Sequence, residues 1–525
     1  MARGVAQLER SSMLGASAAG EPCVAWTIAL RSGHCPAPGV RNGVNDNITS
    51  DSSLAELSAR AVVNAVRTGD FRAEDYAAAL LARQRRFSSL HTVTWIDEQR
   101  VLHDAREVDR RRAAGTLGAL AGLPIIVKDN IAVAGTPNAA GTPTLRQSMS
   151  RQNAPVVQRL LEHDAILFAR ANMHELAGGG TSSNPTFGAV ANPYDTKRIP
   201  GGSSGGTAAA LAARIVPAGL GSDTAGSVRI PSALSGTSGL RPTILPGKLY
   251  PDAGVVPLAL DLDTIGAMAR TVADVALLHE AITGTAVPTM PDAESLRIGI
   301  PRRIYWEDLD PEVADVSHGA LAQMREAGVT LVEVDVSAYY PLALEIYMTL
   351  VTHGIKEDLR PYLAHLDAGV SMAAVMAGIA SRDTRTLFED CARANIAPNT
   401  LAKARGPLRA RILKSYRDLL RTHSLNAIAY PSAPISAPLI NVGGDTRDAE
   451  VELNGRRVNL AQTLFRNTRV TGALGVPGLS LPAGLTRQGL PVGLELDGLD
   501  GADAPLLAVG MQVERLLGPL PPPAI

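Results

Sequence analysis

The sequence predicts an α/β fold in which short buried strands alternate with helices. Three observations lead there. From Leu117 onward, apolar runs of a few residues recur between glycine-rich turns, as in Leu123-Pro-Ile-Ile-Val127 and Ala165-Ile-Leu-Phe-Ala169. Segments with helical spacing separate these runs, which is the pattern of layered α/β proteins. Hydrophobic residues fill 46% of the 525 positions but aromatics only 4%, so a large core is available and is built mostly from Ala, Val, Leu and Ile.

The elements follow in order. Residues 1–50 are rich in Gly, Ser, Ala and Asn and hold no sustained period, which reads as a disordered N-terminal extension. Asp51-Ser52-Ser53 offers caps for a helix through Leu54–Val62. A second helix is expected over Ala73–Arg85. Strands are expected at 123–127, 165–169 and 214–218, with a helix over Thr207–Ala213, opened by Gly205 and Gly206, between the last two. Leu296–Ile300 reads as a strand, 311–327 as a helix and Val329–Val336 as a strand. Residues 340–421 read as mainly helical. The sheet pattern resumes at Asn426–Tyr430 and Gly478–Pro482. There is no internal repeat, and Pro519–Pro523 reads as a plain terminus.

Bulk properties narrow the function. A formal net charge of −1 without a long basic run argues against nucleic acid or an anionic membrane surface as partner. No apolar run reaches the roughly 18 residues of a membrane span; Glu21 and Pro22 interrupt the mildly apolar stretch from Met13 to Leu30. The cysteines, Cys23, Cys35 and Cys391, are odd in number and widely spaced, giving neither a disulfide framework nor a metal knuckle. They read as reduced thiols of a cytoplasmic protein.

Three segments carry chemistry. In Gly122-Leu-Pro-Ile-Ile-Val-Lys128-Asp-Asn130 a lysine ends a buried strand, where it either snorkels to solvent or is held unusually dry. In Pro200-Gly-Gly-Ser203-Ser204-Gly-Gly-Thr-Ala-Ala-Ala210, glycines flank two serines just before a helix, so backbone amides can approach a ligand. The Gly-Lys-Ser/Thr of a nucleotide-binding P-loop is missing. In Gly221-Ser-Asp223-Thr-Ala-Gly226-Ser227-Val-Arg229-Ile-Pro231, Ser227 follows small residues that permit a tight turn, although Arg229 breaks the Gly-x-Ser-x-Gly elbow. A serine needs a base to attack at neutral pH. His163 and His174 read as helix-surface or packing residues, and His279 as an amphipathic helix position. Lysine is left as the base, provided desolvation lowers its pKa from about 10.4 toward neutrality.

Together these segments resemble the amidase signature family. Gly201 to Pro231 match the family pattern position by position. The likeness runs from about residue 54 to about 517, through Ala171-Asn-Met-His-Glu-Leu176, Phe187-Gly188, Asn192-Pro-Tyr194, Gly478–Leu485 and Gly489-Leu-Pro-Val-Gly493. The resemblance implies a large, mixed, twisted β-sheet covered by helices on both faces over residues 51–525, with a variable helical insertion on the substrate side at about 340–421. It implies Ser227 as nucleophile, Ser203 as bridging serine after a cis bond from Gly202, and Lys128 as base. It places the oxyanion at the backbone N–H groups of Thr224, Ala225, Gly226 and Ser227. Ser204, Asp223 and Arg229 are support, with the last two holding the turn through hydrogen bonds. Ala225 stands where many members carry glycine, which matters little because only its backbone amide is needed. No metal or cofactor is implied. Many members dimerise, so a homodimer is compatible, but no segment here identifies an interface.

Within the family, the run from Met173 to Gly284 is most similar to indoleacetamide and mandelamide hydrolases, notably at Ile199–Thr207 and Asp252–Pro257. The expected partner is therefore a small-molecule amide with an apolar or aromatic acyl group, hydrolysed to its acid and ammonia. Tyr339, Tyr340, Tyr347 and Met348 are candidate pocket residues, with ordinary helix packing as the competing reading. Other members leave alternatives open: an acylamidase, a urethane or carbamate hydrolase, a peptide amidase, or the glutaminase subunit of a tRNA-dependent amidotransferase. The last would need a partner and a polar pocket.

Overall fold

Among the described residues, eleven strands join in one large sheet. In chain order they are β1 (Val93–Trp95), β2 (Pro124–Lys128), β3 (Ile166–Ala171), β4 (Ala218–Asp223), β5 (Ser238–Arg241), β6 (Thr264–Ala269), β7 (Arg297–Ile300), β8 (Thr330–Glu333), β9 (Ala427–Pro431), β10 (Gly478–Leu485) and β11 (Pro491–Asp497). Their spatial order is β1-β3-β2-β4-β6-β5-β10-β11-β9-β7-β8. This computed structural model describes residues 54–525 apart from 245–246, 367–368 and 442–445. The expected extension over 1–50, the capping residues 51–53 and two of the cysteines, Cys23 and Cys35, lie outside the described residues.

The sheet is mixed. β3, β2 and β4 are parallel, as are β9, β7 and β8, while the strands between them pair antiparallel. Every residue of β2, β3, β4 and β6 is buried. A strand covered on both faces reads as a continuous apolar run rather than an alternation, which is why β2 and β3 were visible in the sequence. Flanking helices supply the cover.

Three expectations need correction. The first continuous helix begins at Ala59 rather than Leu54, because Ser58 is extended and its hydroxyl accepts the N–H of Ala61 (3.2 Å). The strand expected at 214–218 lies one segment later, at Ala218–Asp223. Arg214 turns the chain after the preceding helix with φ +57°, and Pro217 has no N–H for a ladder. Ala-Gly-Leu-Gly-Ser-Asp has little strand propensity, so the central strand of the site is set by its neighbours and not by its own composition. The strand expected over Val329–Val336 is only the four residues of β8.

Residues 340–421 are helical as expected. They fold into Tyr340–Glu357, Leu359–Ala364, Met372–Gly378, Arg382–Arg393, Pro398–Arg405 and Pro407–Thr422, the last ending one residue further on. Among the described residues no helix is long and apolar enough to cross a membrane.

Candidate active site

Three chain segments meet at the ends of β2 and β4. Lys128 is the last residue of β2 and is fully buried behind Ile125, Ile126 and Val127. Its Nζ donates to Ser203 Oγ (2.7 Å), Ser222 Oγ (2.8 Å) and the Ser222 carbonyl (3.3 Å). Among the described residues no carboxylate pairs with it. Burial pulls the ammonium down from 10.5 to about 7, against a weaker opposing pull from Asp223 and Asp263. The snorkelling reading therefore gives way to a dry lysine, much of it neutral near pH 7.

Ser203 precedes the helix Gly205–Ala212, and the Gly202–Ser203 peptide bond is cis. The helix forms where Ala dominates and glycine permits close approach: a Cβ on Gly206 would lie 2.2 Å from the carbonyl oxygen of Asn172. Ser204 ties this segment to its neighbours. Its hydroxyl donates to the Ser222 carbonyl (3.2 Å), and its N–H donates to the Ser227 carbonyl (3.1 Å).

The turn after β4 is held by charge. The Asp223 carboxylate accepts from Val228 N–H (3.0 Å), from Arg229 Nε (3.1 Å) and Nη2 (3.0 Å), and from Arg241 Nη1 (2.8 Å). Burial alone would raise this carboxyl, but Arg229 and Arg241 hold it well below the usual carboxylate range. Arg229 also donates to Glu495 Oε1 on β11 (2.9 Å), so one buried guanidinium locks the turn onto the sheet. Thr224 Oγ1 donates to Asp263 (2.5 Å), and Thr468 Oγ1 donates to the Ala225 carbonyl (2.5 Å). Gly226 has φ +136°, and a Cβ there would lie 2.2 Å from Thr468 Oγ1, so this position demands glycine. With the carbonyl of Ala225 occupied, the N–H groups of Thr224, Ala225, Gly226 and Ser227 have no acceptor among the described residues.

Ser227 is nearly buried, its hydroxyl has no hydrogen bond among the described residues, and it borders a cavity of about 410 Å³. Thr224, Ala225 and the Ala177–Thr181 segment also line this cavity. Leu344, Tyr347, Met348, Val351, Ile355 and Leu387 of the helical insertion form an apolar wall, and Leu460, Leu464 and Phe465 form another. Of the four candidate pocket residues, Tyr347 and Met348 reach the cavity. Tyr339 instead packs edge-on to Tyr416, and Tyr340 donates to the Arg466 carbonyl (3.1 Å).

Sequence reasoning missed several residues here. Ser222 shares Lys128 with Ser203, and Asn130 Nδ2 donates to Ser222 Oγ (3.0 Å). Both lie inside the quoted motifs, but no spacing rule marked them. The wall from Leu460 to Phe465 carried no chemical signal at all. Of the two readings of His174, helix surface or packing, the structure supports packing. His174 is fully buried, its Nε2 lies 3.1 Å from Asp383 of the insertion, and its backbone N–H donates to the Ser203 carbonyl (3.1 Å).

Chemically, the arrangement offers a dry amine hydrogen-bonded to one serine, a second serine at a cavity, and a cluster of unused N–H donors beside it. Comparison with known proteins points the same way. A family model described as Amidase matches residues 76–507. The chain is 36% identical to a mandelamide hydrolase of Pseudomonas putida, over 90% of this chain and 93% of that one. It is 35% identical to an indoleacetamide hydrolase of Agrobacterium vitis, over 89% and 97%. A solved structure described as an amidase superposes with a TM-score of 0.77 at 29% identity, covering 88% of this chain and all of the other.

Proposed function

This chain belongs to the amidase family, and from that premise we propose that it hydrolyses a small carboxylic amide with an apolar or aryl acyl group, such as an arylacetamide, through an acyl intermediate on Ser227. The observation that carries the reading is the buried Lys128, bonded to Ser203 at 2.7 Å without a carboxylate partner among the described residues. A lysine kept neutral by burial serves as a general base near pH 7.

Ser227 Oγ attacks the amide carbonyl carbon. Its proton passes to Ser203 Oγ, whose own proton passes to Lys128 Nζ. The carbonyl oxygen, now negative, accepts from the free N–H groups of the 224–227 turn. Each such donor is worth about 10²–10³ in rate. The C–N bond breaks as the relay returns a proton to the leaving nitrogen, and ammonia or an amine departs. Water then attacks the Ser227 ester by the same relay, releasing the acid and restoring neutral Lys128. Ser222 and Asn130 position the amine, since Lys128 donates to Ser222 and Asn130 bonds Ser222 in turn.

The apolar walls support an apolar or aryl acyl group, and about 410 Å³ suits a small ligand. The test is ammonia release from phenylacetamide, indoleacetamide, mandelamide, an aliphatic amide and glutamine, with aniline release from an anilide, in wild type and Ser227→Ala. Strong activity on the aryl amides that vanishes in the variant is expected. Activity confined to the anilide, a peptide amide or glutamine would overturn the substrate assignment, and full activity in Ser227→Ala would overturn the mechanism.

A further inference from the structure

Charged side chains also reach the cavity between its apolar walls, and one of them has no charged partner among the described residues. Arg469 lines the cavity beside Tyr347, with its guanidinium carbon 5.8 Å from the ring centroid. Of its five N–H donors, the structure uses one nitrogen: Nη2 donates to the Ala461 carbonyl (3.2 Å). Nε is buried without a hydrogen-bond partner among the described residues. Among the described residues no carboxylate pairs with it. The other charged side chains at the cavity are engaged or peripheral. Asp383 is held by His174 (3.1 Å), Arg447 by Asp390 (2.6 Å), and Asp448 is exposed.

An unmatched guanidinium against apolar walls is costly, and desolvated donors without acceptors cost more still. A ligand that brings an acceptor would relieve both. The location also limits where that acceptor lies. Arg469 follows Thr468, whose hydroxyl is bonded to the Ala225 carbonyl and whose own carbonyl accepts from Arg229 (3.1 Å). The backbone next to Arg469 is therefore tied to the turn that carries Ser227, its guanidinium reaches the Ala461 carbonyl and the Tyr347 ring, and Arg469 and Ser227 border the same cavity.

We propose that Arg469 is a specificity-determining residue that binds an oxygen acceptor on the acyl part of the substrate, close to the scissile carbonyl, such as an α-hydroxyl or α-keto oxygen. The amidase reading enters only in placing the scissile amide at Ser227. The cavity then selects for two features together: an aryl or apolar body against the helical walls, and one oxygen directed at Arg469.

The test compares phenylacetamide with its α-hydroxy and α-keto analogues, mandelamide and benzoylformamide. In wild type, kcat/KM is expected to favour the oxygen-bearing amides. In Arg469→Met that preference, read as the ratio of kcat/KM for the oxygen-bearing amides to that for phenylacetamide, should fall about 10- to 100-fold, the range for a hydrogen bond to a charged group. Arg469→Gln carries the same comparison should the methionine variant fail to fold, with the preference falling at least about fivefold. Binding is read separately by calorimetry in Ser227→Ala, where mandelamide should bind more tightly than phenylacetamide and lose that advantage in Ser227→Ala/Arg469→Met. Equal binding of the two amides, or an advantage that survives loss of Arg469, overturns the proposal. Failure of wild type to hydrolyse any of the three would instead overturn the proposed substrate class, while the binding comparison still decides the role of Arg469.

Discussion

Replacing Lys128 by methionine should change how stability depends on pH, and the size of that change follows from the burial of one amine. The ammonium is pulled from 10.5 to about 7 in the folded protein, first by burial. In the unfolded chain it returns to its ordinary value of about 10.4. Between these two values the unfolded state binds a proton that the native state does not, so the native state gains stability as pH rises. Below about pH 7 the cost of the buried lysine is fully present, and above about 10.5 it is gone. A shift of this size corresponds to about 5 kcal/mol across the whole window, at about 1.4 kcal/mol per unit. Methionine has no proton to exchange, and the other titrating groups cancel when the two proteins are compared. The stability of wild type relative to Lys128→Met should therefore rise by about 3 kcal/mol between pH 6.5 and 9.5. Urea unfolding of both proteins at several pH values measures this. The variant also leaves the hydroxyls of Ser203 and Ser222 without their donor, which adds an offset but no slope. A difference that stays flat across the window would mean that Lys128 is an ordinary charged lysine in the folded state, and the proposed base would be lost.

The remaining predictions concern rate and the turn. If neutral Lys128 is the base, kcat/KM should rise about tenfold per pH unit below about pH 7 and level off above it; Lys128→Met should lose about 10²–10⁴ in rate, and a profile falling with pH through 7 would contradict the assignment. Arg229→Met should cost about 3–5 kcal/mol in unfolding free energy, because it strands the buried carboxylate of Glu495 and leaves Asp223 with Arg241 as its only guanidinium partner among the described residues; a loss below about 1 kcal/mol would show that the turn is held by other means. Gly226→Ala should lower Tm and activity together, since its Cβ would lie 2.2 Å from Thr468 Oγ1 at a φ of +136°, and unchanged rate in a folded variant would release this turn from its proposed role.

How much of this was legible in the sequence depended on which force set each element. β2 and β3 are buried on both faces and rich in branched residues, so their apolar runs stood out. β4 was misplaced because Ala218-Gly-Leu-Gly-Ser-Asp223 is a strand only by virtue of the partners on either side. The residues proposed for chemistry were legible because a motif held Lys128, Ser203 and Ser227, and elementary acid–base reasoning asked for a buried amine. Ser222 and Asn130 lay within a few residues of them and passed unnoticed, since hydrogen bonds spanning about ninety positions leave no local period. The cavity was half legible: the insertion announced itself as helical, and its helix over Tyr340–Glu357 presents Tyr347 and Met348. Its second wall, and Arg469 within it, became visible only when the chain was folded. His174 looked like packing because its partner, Asp383, is more than two hundred residues away.

The central claim is that Ser227 carries the acyl group, and trapping that ester tests it most directly. The protein is mixed with p-nitrophenyl phenylacetate, an activated ester of the proposed acyl group, quenched in acid within the first turnovers, and digested for peptide mass mapping. A phenylacetyl group on Ser227 is expected, absent from Ser227→Ala and formed far more slowly in Lys128→Met. An acyl group mapped to another residue, or an equal yield of adduct in Ser227→Ala, would contradict it.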